Sequence, residues 1–217
     1  MSALRLEAVD VSVNVKGKQL LEAITLQAAA GQPVALTGPS GSGKSLLLHV
    51  LAGLMPVSSG RVLLDGAPMG TNDSSGRASF GLILQTHGLA SGLTAEENVA
   101  LPLQVRGLAR DEIAARCAEE LDGVDLLGVA NRLVDDLSGG QRQRVGVARA
   151  LAGHPDVVLA DEPTAELDPV SRERVLSVVL GASLPRIVVI ASNDPEIVEA
   201  CAQTLHLRDG RVDAAAS

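Results

Sequence analysis

Val34-Ala35-Leu36-Thr37 followed by Gly38-Pro39-Ser40-Gly41-Ser42-Gly43-Lys44-Ser45 decides how this chain is read. The apolar tetrapeptide is a short buried strand, and Lys44 to Ala52 is an apolar helix closed by Gly53, with Pro56 just beyond. The segment between them has the spacing G-x-x-x-x-G-K-[ST] in the strand-to-helix context that this motif requires. Its glycines let successive backbone N–H groups turn inward into an anion nest, to which the helix N-terminus adds positive potential. Lys44 supplies a point charge for the β- and γ-phosphates of a nucleoside triphosphate, and the Ser45 hydroxyl is placed for Mg²⁺. A Gly/Ser-rich turn without a ligand does not account for that placement.

Two further stretches extend the reading. Val157-Val158-Leu159-Ala160-Asp161-Glu162 is an apolar strand ending in two carboxylates. Asp161, at the strand tip, can hold a Mg²⁺ shell, and Glu162 can accept a proton from attacking water. Alone, such a pair is a solvated turn; behind a phosphate loop it has a purpose. Leu137-Ser138-Gly139-Gly140-Gln141 opens another helix. Ser138 can cap it, while Gly139 and Gly140 leave its first N–H groups bare, so this helix end is a second anion receptor. One nucleotide does not need both receptors within one chain.

Outward from these motifs, strands and helices alternate. Leu4 to Val9 alternates in polarity, and Leu20 to Ala28 follows the turn Lys16-Gly17-Lys18. Arg61 to Asp65 and Phe80 to Leu84 are strands, the second stopping at Gln85. From there to Leu137 the pattern is helical, with a capping-box signature at Thr94-Ala95-Glu96-Glu97 and helical spacing over Arg110 to Leu121. Then come helix Ser138 to Ala152, strand Val157 to Ala160, helix Pro169 to Leu180, strand Ile187 to Ala191, helix Pro195 to Ala202 and strand Thr204 to Leu207. Asp168-Pro169 and Asp194-Pro195 each put a cap residue before a proline at the first helical position. The expected fold is α/β: a phosphate-loop core with a mainly parallel sheet, an N-terminal antiparallel β subdomain and an inserted helical subdomain. The expected organisation is one domain over residues 1–217, with 1–85 and 137–217 as the core and about 86–136 as the helical part. Asp213 to Ser217 reads as a frayed tail.

Composition narrows the classes. A net charge of −8 lacks the basic face that nucleic acid requires, so no nucleic-acid partner is expected. One Phe and no Tyr or Trp leave almost no ring for stacking on a base. Cys117 and Cys201 stand far apart without ligand-spaced neighbours and read as reduced thiols, and His49, His87, His154 and His206 are scattered. With no signal segment and no apolar run of about 18–20 residues, the chain is expected in the cytoplasm, at the inner face of a membrane through a partner.

The stretches GPSGSGKS (38–45), Gln85 after a strand, LSGGQRQRV (137–145), VVLADEPT (157–164) and ELD (166–168) resemble the ATP-binding cassette family over nearly the whole chain. The resemblance implies a second such subunit, with each ATP between the phosphate loop of one copy and Ser138, Gly139, Gly140 and Gln141 of the other. It implies that Gln85 senses Mg²⁺ along with Ser45 and Asp161, and that the helical part docks a transmembrane permease. Glu96 and Asn98 to Leu103, with Thr94, resemble the lipoprotein-release and macrolide-export branch. Three positions depart from the family. Asn193 stands where a His contacts the γ-phosphate; an amide can donate one hydrogen bond but cannot carry a proton, which implies slow turnover or a site that holds ATP. Val13 aligns with the usual adenine-stacking aromatic, so base selectivity should be weak, and Glu166 stands where a small residue is usual. The rival readings are a non-transport cassette acting as a regulatory or scaffold module, and a small-molecule phosphate-loop kinase, which leaves 137–141 without a purpose.

Overall fold

The computed structural model describes residues 4–70, 80–181 and 186–213. Two sheets organise it. The first pairs β1 (Arg5–Val15), β2 (Lys18–Ala29), β4 (Ser59–Leu64) and β5 (Ala67–Pro68) in the antiparallel order β2-β1-β4-β5. The first two strands are longer than the polarity pattern suggests, because their mutual ladder continues to the tight turn between Val15 and Lys18. Register shifts bend that ladder between Ala8 and Val13, where Asp10 and Ala23 take positive φ.

The second sheet has the order β10-β9-β3-β8-β7-β6 among the described residues. Its strands β3 (Val34–Thr37), β6 (Phe80–Ile83), β7 (Val157–Asp161), β8 (Ile187–Ala191) and β9 (Gln203–Arg208) run parallel, and β10 (Arg211–Val212) is antiparallel to β9. All five residues of β7 and of β8 are buried, as expected of strands covered on both faces. Because strand side chains alternate, β7 and β8 feed two cores. Val157, Leu159, Ile187 and Val189 join Leu36, Leu47 and Leu51 under the antiparallel sheet, α1 being Lys44–Leu51. Val158, Ala160, Val188 and Ile190 face the opposite cluster, which continues into the helical segment.

That segment holds α2 (Ala95–Val105) and α3 (Arg110–Gly123), joined by short 3-10 turns at Leu127–Val129 and Val134–Asp136 to α4 (Gly139–Leu151). Thr94 caps α2 by a reciprocal box: its hydroxyl accepts from Glu97 N at 3.1 Å, and Glu97 Oε2 accepts from Thr94 N at 2.8 Å. Asn98 is fully buried, accepting from Ala90 N and donating to the Ala90 and Thr94 carbonyls. Thr94 and Asn98, part of the finer family resemblance, therefore build the start of a helix. α5 (Pro169–Leu180) and α6 (Pro195–Ala200) begin at Asp168 and Asp194, whose carboxylates accept from Ser171 N and Glu196 N. α6 stops short of Ala202 because Cys201 turns extended. Cys117 and Cys201 are free thiols, and burial pushes both up to about 11. Among the described residues no helix is long and apolar enough to cross a membrane. The tail beyond Asp213 lies outside the described residues.

Candidate nucleotide site

The C-terminal ends of β3, β6, β7 and β8 open onto one cleft, the place where a parallel sheet with helices on both faces binds ligands. The cleft has a volume of about 390 Å³ and is lined by Ser40, Gly41, Gly43, Lys44, Ser45, Gln85, Asp161, Glu162 and Asn193, with Leu20 and Leu46. Residues from five separated stretches thus converge, four of them carrying the sequence motifs.

The loop has its shape because glycine is required at its ends. Gly38 has φ 135°, and a Cβ there would overlap the Leu207 carbonyl; Gly43 has φ 105°, and a Cβ would lie 2.7 Å from Leu21 Cδ2. Lys44 is buried and donates from Nζ to the Gly38 carbonyl at 2.7 Å and the Pro39 carbonyl at 3.2 Å. Its ammonium therefore sits inside the curl of the loop. Ser42 Oγ is also buried, and it has no hydrogen-bond partner among the described residues. A buried cation and an orphaned hydroxyl inside a glycine-lined curl fit a bound phosphate chain.

The carboxylates occupy different environments. Asp161 is buried at the tip of β7. Glu162 takes φ 46°, a left-handed conformation that costs a non-glycine residue roughly 1–3 kcal/mol. Neighbours hold it there: Glu162 N donates to the Ala191 carbonyl at 2.9 Å, and Gln143 Nε2 reaches the Glu162 and Pro163 carbonyls at 3.3 and 3.0 Å. Ser192 Oγ donates to Glu162 Oε2 at 2.9 Å and accepts from Asp194 N at 3.2 Å, fixing the carboxylate's direction. Ser192 needs the β7–β8 pairing to acquire its role, and Gln143 needs α4 to lie beside the loop that follows β7.

Asn193 is committed to the loop. Its Oδ1 accepts from Gly38 N at 2.9 Å and its Nδ2 donates to Gly38 O at 3.0 Å, a two-point pairing of amide against backbone. Val13 is 1% exposed and packs into the core under the antiparallel sheet, which does not present it to a base. Two residues on, Val15 is 41% exposed, and Leu20 of β2 lines the cleft, so the exposed positions near a base are aliphatic.

Ser138, Gly139, Gly140 and Gln141 do not line this cleft. Ser138 Oγ accepts from Gln141 N at 3.2 Å and Gln141 Oε1 accepts from Ser138 N at 3.0 Å, a capping box that closes the start of α4. What the sequence reading missed is that the loop after Glu162 covers both glycines. A Cβ on Gly139 would overlap Glu166 Oε2, and one on Gly140 would lie 3.0 Å from the Glu166 carbonyl.

A Lys-bearing glycine loop between β3 and α1, with paired carboxylates at the tip of a neighbouring parallel strand, defines a phosphate-loop nucleotide-binding protein. Residues 21–165 match the family model described as ABC transporter, and the chain belongs to that family. It is 38% identical over 203 residues to the methionine import ATP-binding protein MetN of Caulobacter vibrioides, covering 90% of this chain but 61% of that protein. It is 42% identical over 182 residues to the taurine import ATP-binding protein TauB of Pseudomonas aeruginosa, covering 83% and 68%. Among solved structures, the dimeric post-hydrolysis state of the ATP-binding cassette MJ0796 bound to ADP and Pi superposes with a TM-score of 0.87 at 31% identity over 96% of both chains. The cbiO1 structure from Clostridium perfringens, part of the ABC transporter complex cbiONQ, gives 0.83 at 28% identity over 96% of this chain and 86% of that one.

Proposed function

We propose that this chain is the ATP-binding and ATP-hydrolysing subunit of an ABC transporter, in which two subunits close around two ATP and drive a transmembrane permease. The observation that carries the proposal is the split arrangement: one complete phosphate-loop cleft, and a separate capped helix end outside it. The helix end does not line the cleft, so it has a use when a second subunit faces that cleft. The dimeric cassette relative supports that pairing.

In the cleft, Gly38 to Gly43 and Lys44 hold the phosphate chain. Ser45, Gln85 and Asp161 are the residues that would hold Mg²⁺, which neutralises charge on the phosphate oxygens when bound. Glu162, oriented by Ser192, accepts the proton of the attacking water. Asn193 positions the loop mouth from the opposite side and cannot act as a proton carrier. Residues 86–136 serve as the helical part of a single nucleotide-binding domain. A groove of about 520 Å³ there, lined by Leu82, Leu84, Leu101, Pro102, Val105 and Arg106, with Val105 87% exposed, supports docking of a permease helix at the inner membrane face. The import names of the relatives belong to those proteins, and the net charge of −8 argues against nucleic acid.

A second reading, a cassette that holds ATP as a regulatory or scaffold module, is favoured by the commitment of Asn193 to Gly38. The experiment is steady-state ATPase activity of the wild type and Glu162→Gln, with Mg²⁺-ATP binding measured in parallel. Loss of about 10²–10⁴-fold in turnover with binding intact is expected. Equal turnover in both proteins would overturn the assignment of Glu162, and no turnover in the wild type favours the module reading.

A further inference from the structure

Among the described residues the Glu166 carboxylate has no hydrogen-bonding partner, yet it lies against the helix end that the sandwich reading gives to a second subunit. Of the first N–H groups of α4, Gln141 N is taken by Ser138 Oγ and Arg142 N by the Ser138 carbonyl. The Gly139 and Gly140 N–H groups are the pair left for an anion. Glu166 Oε2 stands where a Gly139 side chain would be, so negative charge already lies beside that pair. It packs against the Gly139 Cα without accepting from either N–H. Its backbone is fixed by tight turns, Ala165 N to the Glu162 carbonyl at 3.3 Å and Leu167 N to the Thr164 carbonyl at 3.2 Å. On its other side, His87 Nε2 lies 3.9 Å from the same oxygen. That nitrogen is buried without a hydrogen-bond partner among the described residues, while the His87 carbonyl is held by Arg149. The carboxylate is half exposed and free to swing away.

We infer that Glu166 is an electrostatic gate on the α4 helix end, whose carboxylate must leave before the terminal phosphate held by a second copy of this chain can reach Gly139 and Gly140. The inference rests on the sandwich reading above. Two effects compete. The helix terminus attracts the carboxylate and holds the gate shut, while an arriving polyphosphate repels it and offers the same N–H groups a stronger anion. The polyphosphate wins only above a threshold concentration, so the gate sets the ATP level at which two copies close. Charge effects at exposed helix ends correspond to roughly twofold to fivefold in an equilibrium.

The experiment uses Glu162→Gln protein, in which hydrolysis is suppressed, with and without Glu166→Gln, an exchange that removes charge and keeps shape. Sedimentation velocity measures the Mg²⁺-ATP concentration that gives half-maximal dimer. The midpoint is expected to fall about threefold to fivefold on Glu166→Gln, with the nucleotide affinity of the dilute monomer unchanged. The difference is expected to vanish in about 1 M salt, where the screening length is about 3 Å. An equal midpoint in the two proteins, or a difference that survives salt, overturns the gate and leaves the sandwich standing. Absence of ATP-driven dimers in both, with monomer binding intact, overturns the pairing of two copies and the gate with it.

Discussion

Replacing Asn193 by Ala removes both hydrogen bonds that tie the end of β8 to the first residue of the phosphate loop. The two losses are unequal. Gly38 O keeps Lys44 Nζ as a donor at 2.7 Å, so its desolvation stays compensated. Among the described residues Gly38 N has no other partner, and an unpaired backbone donor costs about 1–3 kcal/mol when buried. Gly38 is buried but Asn193 is exposed, so once the amide is gone water reaches the N–H and offsets some of this, and about 1.4 kcal/mol is the expected net cost. Nucleotide binding needs the loop in its curled form, so the cost appears as about a tenfold weaker affinity for Mg²⁺-ATP. Equilibrium titration in the Glu162→Gln background measures it without hydrolysis. Asn193→His is the informative companion: an imidazole can replace one of the two bonds and adds a group that can carry a proton. It should recover part of the affinity and raise the single-turnover hydrolysis rate by about tenfold. An Asn193→Ala protein that binds ATP as tightly as wild type but hydrolyses it more slowly would refute the positioning role. No gain from Asn193→His would remove the idea that this position limits the chemistry.

Two further predictions concern selectivity and pH. With aliphatic Val15 and Leu20 in place of a ring, the stacking contribution of roughly 1–3 kcal/mol is missing, and GTP should compete within about tenfold of ATP; a competition titration showing strong ATP preference would contradict this. Glu120 is pushed up to about 7, first by burial and then by neighbouring Glu119. Burial and Arg116 lower His154, 3.7 Å away, so around neutral pH this contact is not an ion pair of full charges. A carboxyl raised in the folded state stabilises the fold fully below its unfolded value near 4.5 and loses that contribution as pH rises toward 7. Glu120→Gln should therefore flatten the fall in stability between about pH 4.5 and 7 and raise the melting temperature at pH 8; a melting curve series with unchanged slope would count against it.

Where the sequence was read well, the signal was local. The strand-loop-helix around Gly38 to Ser45, the capping boxes at Thr94 and Ser138, and the proline-initiated helices after Asp168 and Asp194 each depend on residues within one or two turns of each other. The division of β7 and β8 between two cores was not legible in this way, because both strands are apolar on both faces. The burial of Val13 was not legible, because a period-2 strand puts Val13 and Val15 on the same face. Sequence pattern cannot say where along β1 burial gives way to exposure; the change falls between Val13 at 1% and Val15 at 41%.

By itself, then, the sequence determined that this chain makes a phosphate-binding loop, a carboxylate-tipped strand and a second bare helix start, because each is set by backbone freedom and charge within a few residues. The tertiary structure alone decided what surrounds them. Ser192 and Gln143 acquired their hold on Glu162, Asn193 its pairing with Gly38, and Glu166 its place over Gly139 only when parallel strands brought distant residues side by side. Those contacts span intervals of 19 to 155 residues, and no local propensity encodes them. They depend on the register of β3, β7 and β8, which is set by burying two apolar cores at once.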